Sequence, residues 1–258
     1  MDGYTSRFSG IRRLVGSRGF ERLRQAHVGV IGLGGVGSWA AEALARSGVG
    51  QLTLVDFDDV CISNTNRQLH ALAGDYGKPK VEVMARRIQA INPDCTVRPV
   101  LAFFTAKTAS EILSAPLDYL VDAIDDAAMK CLLIARCRDQ GIPVVVSGGA
   151  GGRRDPTQVR VADLAFTSHD RLLDKVRTGL RTDYGFPRDR VPFGVDAVFS
   201  PESLVYPAKD GSVCSRREGG ESGRIDCDHG LGTATFVTGT FGFVAASQIV
   251  QRLTGKVS

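Results

Sequence analysis

Two periods of apolar residues divide the first 150 positions of the chain into predicted elements. Continuous apolar runs, typical of strands buried on both faces, predict strands at His27–Ile31, Gln51–Asp56, Thr96–Leu101, Tyr119–Ala123 and Pro143–Val146. Helical spacing between these runs predicts helices at Val36–Ser47, Lys80–Ile91, Thr105–Leu113 and Ala127–Gln140. Because strands that alternate with helices form parallel sheets, this pattern predicts an α/β fold with a doubly wound, mostly parallel sheet.

The pattern changes on both sides of this core. Ser9–Gln25 predicts an amphipathic helical lead-in with an arginine-rich face. After residue 152 we predict only short strands, a helix and mobile loop within His169–Arg190, and a polar loop over Lys209–Asp228. The expected organisation is a lead-in (1–26), a nucleotide-binding core (27–152) and a smaller C-terminal extension (153–258) that ends in an apolar helix.

Composition limits the class of protein. With 258 residues, of which 43% are hydrophobic, the chain can bury a sizeable core. Its formal net charge of +4, from 32 basic and 28 acidic residues, permits a polyanionic partner without requiring one. The six cysteines include no C-x-x-C pair, which argues against a structural zinc site. No signal peptide is recognised, so we predict reduced thiols in a cytoplasmic protein.

One segment is long and apolar enough to suggest a membrane-spanning helix instead of a cytoplasmic protein. Residues 230–251 carry no charge and are long enough to cross a bilayer. However, the segment contains four glycines, four threonines, a serine and two glutamines. We therefore expect a helix buried in the core or in a subunit interface, and membrane contact is the weaker alternative.

The strongest chemical signal is a glycine-rich turn after the first predicted strand. Gly32 allows a tight exit from the strand, Gly34 and Gly35 let backbone N–H groups approach a phosphate, and Gly37 lets the next helix pack closely on the sheet. A helix N-terminus also favours negative charge. The following strand ends on Asp56, in the position of an acid that accepts hydrogen bonds from ribose hydroxyls. Together these features predict a Rossmann-like nucleotide site.

The residues after Asp56 favour a triphosphate over a dinucleotide. The run DFDDVCISNTNRQ contains Asp58, Asn64 and Arg67, and Lys80 begins a predicted helix. A guanidinium fork binds pyrophosphate bidentately, and a lysine adds a point charge. A nicotinamide-dependent oxidoreductase, the competing interpretation, has no role for Arg67 and Lys80. We therefore predict a nucleoside triphosphate as the ligand.

A second acidic group follows the strand predicted at Tyr119–Ala123. Asp122, Asp125 and Asp126 lie at its carboxyl end, the edge at which open α/β sheets bind ligands. Mg²⁺ usually takes one or two carboxylates together with phosphate oxygens. We predict Asp125 as the metal ligand and Asp122 as its support, whereas Asp126 alternatively caps the following helix.

These motifs together resemble the adenylation domain of the ubiquitin-activating enzyme superfamily. More narrowly, the chain is similar over nearly its whole length to the bacterial tRNA threonylcarbamoyladenosine dehydratases. The narrower resemblance rests on Arg7-Phe8-Ser9-Gly10, Asn64-Thr65-Asn66-Arg67-Gln68, Gly148-Gly149-Ala150-Gly151-Gly152, Asp155-Pro156-Thr157-Gln158, Leu204-Val205-Tyr206-Pro207 and Thr240-Phe241-Gly242-Phe243-Val244-Ala245.

The resemblance implies ATP and Mg²⁺ as cofactors and a reaction in two stages. ATP adenylates the carboxylate of the threonylcarbamoyl group, which is carried by the adenosine beside the tRNA anticodon. Attack from within the same modification then closes a ring, and AMP leaves. In this scheme Arg67, Lys80 and Asp125 are catalytic. Ring closure is intramolecular, so proximity supplies on the order of 7–11 kcal/mol in favourable cases.

The resemblance also leaves alternatives open. Sulfur-carrier activators of the ThiF and MoeB kind share the nucleotide motifs and adenylate the C-terminus of a ubiquitin-like protein, but they usually carry paired zinc ligands that this sequence lacks. Related enzymes use a loop cysteine to accept sulfur or an acyl group, which makes Cys227 a catalytic candidate. Asp226 and Asp228 beside it would raise the pKa of that thiol and disfavour the thiolate. A link to a cysteine desulfurase or sulfur-acceptor system stays open.

Further expectations concern partners. Superfamily relatives are dimers, so we expect a homodimer in which Arg7 or Arg13 reaches the ATP of the partner subunit. A monovalent cation, Na⁺ or K⁺, binds in some relatives. His70 is predicted to be structural. Basic residues of the extension are candidates for contact with tRNA phosphates, against the alternative of a solvated charged face; they are Arg153, Arg154, Arg171, Lys175, Arg177 and Arg181.

Overall fold

A computed structural model describes residues 3–189, 191–216 and 231–255. The α-helices are α1 (Gly3–Arg7), α2 (Ser9–Gln25), α3 (Gly37–Arg46), α4 (Lys80–Ile91), α5 (Ala109–Ile112), α6 (Ala127–Gln140), α7 (Arg171–Asp183) and α8 (Thr235–Thr254). The strands are β1 (His27–Ile31), β2 (Gln51–Asp56), β3 (Thr96–Leu101), β4 (Tyr119–Asp122), β5 (Val144–Ser147), β6 (Arg160–Asp163), β7 (Asp196–Phe199), β8 (Tyr206–Pro207) and β9 (Val213–Cys214).

Seven strands form one sheet in the order β3-β2-β1-β4-β5-β7-β6. Neighbouring strands are parallel throughout, except that β6 runs antiparallel to β7. The strand order reverses between β1 and β4, which opens a crevice at the carboxyl ends of these strands. The predicted Rossmann-like, doubly wound, mostly parallel fold is therefore confirmed.

Helices cover the sheet through two clusters of buried side chains. Successive residues of a strand point to opposite faces, and in β1 the side chain of Val30 belongs to one cluster while that of Ile31 belongs to the other. The first cluster joins the sheet to α3, α4 and α8, and the second joins it to α5, α6 and α7. The sheet is therefore covered by a packed hydrophobic core on each of its two faces.

The C-terminal part of the chain contributes to this sheet. Strands β6 and β7 extend it past β5, so chain on both sides of the boundary expected at residue 152 lies in one sheet, and the division into segments stays a prediction. Strand β8 lies just before the loop predicted at Lys209–Asp228, and its antiparallel partner β9 lies inside the first part of that loop. The helix expected in residues 230–251 is α8, which packs on α3 and α2. Within the described ranges, no helix is both long enough and apolar enough to cross a membrane.

Candidate nucleotide-binding crevice

The glycine-rich turn joins β1 to α3 at the carboxyl edge of the sheet. Gly32 has a positive φ of 88°, and a Cβ there would lie 2.8 Å from the carbonyl oxygen of Ala123. At Gly37 a Cβ would lie 1.8 Å from the carbonyl oxygen of Gly32. Neither position accepts a larger residue without movement of the backbone. Gly34 differs, because its missing side chain faces open space, with no atom within 4 Å, as expected where a ligand approaches the backbone.

A buried lysine lies between two carboxylates at the end of β2. Asp56 accepts hydrogen bonds from the backbone N–H of Leu33 at 2.6 Å and of Asp58 at 2.8 Å. The Nζ of Lys80 lies 2.8 Å from Oδ2 of Asp58 and 4.0 Å from Oδ1 of Asp56. Burial raises the pKa of Asp56, and the Lys80 cation opposes that rise. The structure thus brings together three residues that the sequence predicted for the site.

The loop after β2 presents Arg67 beside this group. Oδ1 of Asn64 accepts a hydrogen bond from the N–H of Cys61 at 3.0 Å and closes a 3-10 helix, Ile62–Asn64. Nη1 of Arg67 donates to the carbonyl oxygen of Ser63 at 2.8 Å. Gly35 is close by, since a Cβ there would lie 3.3 Å from Cγ of Arg67. Asn64 therefore shapes the loop, and Arg67 is a partly exposed cation beside the glycine turn.

The acidic residues after β4 have three different environments. Asp122 is fully buried; its Oδ1 accepts from Nζ of Lys130 at 3.0 Å and from the N–H of Ile124 at 3.1 Å, and burial raises its pKa. Buried in this way, Asp122 holds the loop after β4, which fits the supporting role predicted for it beside Asp125. Asp126 caps α6 by accepting from the N–H of Met129 at 2.8 Å, the alternative that the sequence offered. Asp125 is exposed, and within the described residues its carboxylate is not engaged in hydrogen bonds of the kind that hold Asp122 and Asp126.

Contacts across the crevice were not predictable from sequence. The carbonyl oxygen of Arg67 accepts a hydrogen bond from Nε1 of Trp39 in α3 at 3.0 Å and one from Thr238 in α8 at 3.4 Å. The Nδ2 of Asn66 donates to the carbonyl oxygen of Thr233 at 2.9 Å. These bonds, which we call the α8 clamp (Trp39, Asn66, Arg67, Thr233 and Thr238), attach the Arg67 loop to two helices. No local signal marks them, because the partners are up to 171 residues apart.

His70 is buried behind the crevice, as its predicted structural role requires. Neither ring nitrogen has a hydrogen-bond partner among the described residues. Burial lowers its pKa to about 4, and the Lys80 cation acts in the same direction. The imidazole is therefore neutral at physiological pH, which leaves the positive charge at this point to Lys80.

Other predicted residues lie away from the crevice or outside the described ranges. Arg7 lines a surface cavity of about 310 Å³ next to Ile91, at the opposite end of α4 from Lys80 and about 16 Å along that helix. Within one chain, Arg7 therefore does not reach the crevice. Cys227, with Asp226 and Asp228, lies outside the residues that the structure describes.

Known proteins resemble this chain along its whole length. The profile of the ThiF family matches residues 8–258. The tRNA threonylcarbamoyladenosine dehydratase of Escherichia coli (strain K12) is 49% identical over 259 residues, which cover 100% of this chain and 97% of that protein. A crystal structure of the E. coli tRNA N6-threonylcarbamoyladenosine dehydratase, TcdA, in complex with ATP is 46% identical, with a TM-score of 0.87 and coverage of 98% of this chain and 96% of that chain.

A contrasting relative matches a smaller part. The E. coli molybdopterin-synthase adenylyltransferase is 38% identical over 132 residues, which are 51% of this chain and 52% of that protein. The similarity to the dehydratases thus includes the C-terminal half of the chain, whereas the similarity to the adenylyltransferase covers only about half of each protein.

Proposed function

This chain belongs to the ThiF family, and we propose that it is an ATP-dependent tRNA threonylcarbamoyladenosine dehydratase. It adenylates the carboxylate of the threonylcarbamoyl group on the adenosine beside the anticodon. The activated carbonyl is then attacked from within the same modification, so that a ring closes and AMP leaves. The modified nucleoside becomes lighter by one water, and the elements of that water leave in AMP and pyrophosphate, so no free water is released.

The observation that carries this proposal is the match with a named dehydratase over all of this chain and 97% of that protein. The ATP complex of a relative with the same fold supports ATP as the activating substrate. The alternative substrate, the C-terminus of a ubiquitin-like sulfur carrier, is disfavoured because similarity to an adenylyltransferase covers only 51% of this chain. The absence of C-x-x-C pairs from the sequence points the same way.

The geometry supports a role for each crevice residue. Asp56 accepts hydrogen bonds from the ribose hydroxyls, and the phosphates lie close to the backbone of Gly34 and Gly35. Arg67 and Lys80 provide positive charge where pyrophosphate leaves, a form of electrostatic stabilisation that mutagenesis values at about 2.7–4 kcal/mol for one donor. Lys80 is held in place for this task by Asp58. The reacting carboxylate and its internal nucleophile belong to one molecule, so the enzyme has only to orient them.

The exposed carboxylate of Asp125 fits a magnesium ion that is shared with phosphate. The described residues contain no cluster of three or more histidine, cysteine or acidic side chains that could hold a metal ion, so within this part of the chain a metal at Asp125 would need further ligands from phosphate or water. Mg²⁺ commonly takes one carboxylate and completes its shell with phosphate oxygens and water. Bound there, the ion would neutralise charge on the triphosphate.

The proposal extends to partners on the basis of the family resemblance. We propose a cytoplasmic homodimer in which Arg7 or Arg13 of one subunit reaches the ATP of the other. A monovalent cation and a link to a cysteine desulfurase system are further proposals of this kind. Cys227 stays a catalytic candidate, although the ring closure proposed above needs no covalent relay.

The test uses the purified protein, ATP with Mg²⁺, and tRNA that carries the linear modification. We expect AMP release in step with the loss of one water mass from the modified nucleoside. The same tRNA without the threonylcarbamoyl group is the control and should release no AMP. Failure to release AMP, together with pyrophosphate exchange that depends on a peptide ending in Gly-Gly, would support the sulfur-carrier alternative instead.

Arg67→Ala and Asp125→Ala provide a second arm of this test. Adenylation requires both residues, so each substitution should abolish AMP release while the protein stays folded. A variant with unchanged AMP release would remove that residue from the proposed site.

A further inference from the structure

A buried lysine joins helix α6 to the end of strand β4. Lys130 of α6 and Asp122 of β4 are both fully buried, and Nζ of Lys130 donates to Oδ1 of Asp122 at 3.0 Å. The same ammonium group donates to the backbone carbonyl oxygen of Asp122 at 3.2 Å. One side chain thus holds both the carboxylate and the backbone of the last residue of β4.

The surroundings of this ion pair are apolar. Cys131, Leu133 and Ile134 of the same helix belong to the core cluster on this face of the sheet. Among the described residues, the ion pair of the Asp122 carboxylate is with Lys130, and Oδ2 of Asp122 has no hydrogen-bond partner. Apolar side chains of similar size often stabilise a core as well as a buried ion pair does, or better. We therefore look for the role of the pair in the geometry that its contacts fix.

The loop between β4 and α6 is held at both of its ends. At its start, Oδ1 of Asp122 accepts a hydrogen bond from the N–H of Ile124 at 3.1 Å, so the chain turns directly after the strand. At its end, the side chain of Asp126 caps α6. Asp125 lies between these two contacts and is exposed. The position of Asp125 is therefore set by the contacts of its neighbours.

The same loop contacts the glycine-rich turn. The N–H of Ala123 donates to the carbonyl oxygen of Ile31 at 2.9 Å. A Cβ at Gly32 would lie 2.8 Å from the carbonyl oxygen of Ala123, so the two backbones are in close contact. A shift at the end of β4 would consequently move Asp125 relative to the turn at which we place the phosphates.

We propose that Lys130 is a positioning residue: through Asp122 it places Asp125 so that one Mg²⁺ ion can contact both this carboxylate and the phosphates of ATP. The inference rests on the proposed function, in which ATP binds with Mg²⁺ at this edge of the sheet. Lys130 is fully buried and acts through the loop, without touching the substrate. Partners that orient a metal ligand typically account for about 10- to 100-fold in metal affinity or activity.

The experiment measures how much Mg²⁺ increases the affinity of the protein for ATP. Calorimetric titration gives the dissociation constant of ATP in the presence of Mg²⁺ and in the presence of EDTA, and the ratio of the two constants is the metal-dependent gain. Lys130→Met should reduce this gain by about tenfold or more, as Asp125→Asn should, and should leave the affinity for metal-free ATP unchanged. Leu133→Ala is the matched control. Leu133 is a fully buried residue of the same helix, so its variant loses stability but should keep the gain.

A double variant separates the positioning role from a failure to fold. Lys130→Met leaves the buried Asp122 carboxylate without its counter-charge, which strongly destabilises a core. Adding Asp122→Asn removes that charge and nearly preserves the shape of the side chain, so the double variant should fold. It still lacks the ionic link between β4 and α6 and should show the reduced gain. In an Asp125→Asn background, the two substitutions should cause no further loss of the gain, because all three act on the same contact.

Four results would overturn the inference. They are an unchanged gain in the folded double variant, an equal loss in Leu133→Ala, losses that add to that of Asp125→Asn, and a wild-type protein without any metal-dependent gain. The second would indicate a general effect of stability, and the third would show that Lys130 acts elsewhere. If the wild type releases AMP with the modified tRNA while any of these holds, only this inference fails. If the wild type also releases no AMP, the proposed function fails with it.

Discussion

At the scale of single residues, the crevice depends on a cation that is kept away from water. Lys80 is 5% exposed, which normally disfavours an ammonium group, but two carboxylates compensate for its burial. These contacts therefore fix the side chain of Lys80 before a nucleotide binds. A phosphate group that arrives there meets a donor that needs no rearrangement.

Lys80→Met should reduce AMP formation by about 10²- to 10³-fold, because the variant keeps the length of the side chain and removes the positioned charge. Lys78→Met is the matched control, since Lys78 is half-exposed and, among the described residues, its ion pair is with Asp75 at the surface. The measurement is the rate of AMP release under saturating tRNA, with circular dichroism to verify folding. Equal rates for the two variants would contradict the role of Lys80.

His70 makes the stability of the fold depend on pH. Its folded pKa of about 4 is below the ordinary value of 6.5, so the unfolded chain binds the proton first as pH falls. The contribution of His70 to stability is fully present at pH values above its pKa in the unfolded chain. It is lost as the pH falls from that pKa towards the lower pKa of the folded protein. Between about pH 7.5 and about pH 5, the wild type should lose about 2 kcal/mol more unfolding free energy than His70→Gln. Urea unfolding at both pH values tests this, and parallel losses would exclude His70 as the source.

At the scale of elements, residues that break helices and strands made several element boundaries predictable. Strands β2 and β3 and helix α4 have the predicted ends, because Gly50 precedes β2 and Asn92-Pro93 follows α4. Helix α5 is shorter than the predicted Thr105–Leu113. Residues 106–108 form a turn in which the Thr108 hydroxyl accepts from the N–H of Thr105 at 2.9 Å and donates to the carbonyl oxygen of Phe103 at 2.6 Å.

The features that could not be predicted from the sequence depend on contacts between residues far apart in the chain. The glycine turn and the acid after β2 were predictable because each occupies a fixed place in a strand-turn-helix unit. The burial of Asp122 was not, since it follows from Lys130 entering the core from α6. The antiparallel β6 was likewise hidden, because a short alternating stretch does not reveal which edge of a sheet it joins.

Two glycines of one turn should respond differently to the same added methyl group. Gly37→Ala places Cβ against the carbonyl oxygen of Gly32, so α3 must move and the melting temperature should fall by several degrees. Gly34→Ala meets nothing within 4 Å and should keep the melting temperature of the wild type, yet weaken ATP binding by about tenfold or more if phosphates approach this backbone. Calorimetric titration with ATP and a thermal melt of each variant make the comparison. An ATP affinity unchanged in Gly34→Ala would place the phosphates elsewhere.

At the scale of the whole molecule, α8 connects the C-terminal part of the chain to the crevice. A Cβ at Gly242 would lie 2.5 Å from the carbonyl oxygen of Val36 and 2.8 Å from Cβ of Trp39. Close contact between α8 and α3 thus places Thr238 against the Arg67 loop. This packing explains the buried face of the apolar segment, whose small residues permit the contact, whereas Phe236 and Phe243 on the same helix are exposed.

Gly242→Ala should therefore weaken stability and ATP binding together. Separating α8 from α3 costs about 1–3 kcal/mol in a packed core, equivalent to a fall of several degrees in melting temperature. The same movement opens the α8 clamp. Gly232→Ala, which adds a methyl group in open space, is the control and should leave both quantities unchanged. A destabilised Gly242→Ala protein with normal ATP affinity would separate the helix packing from the site.

The α8 clamp has a consequence for biosynthesis. Ribosomes deliver the glycine turn, Asp56 and Lys80 long before they deliver Thr238, so a growing chain holds the nucleotide motifs without the helix that fixes Arg67. An enzyme that forms a reactive acyl adenylate can lose it to hydrolysis when its active site is incomplete. In this protein, the helix that contacts the Arg67 loop is synthesised after all of the nucleotide motifs.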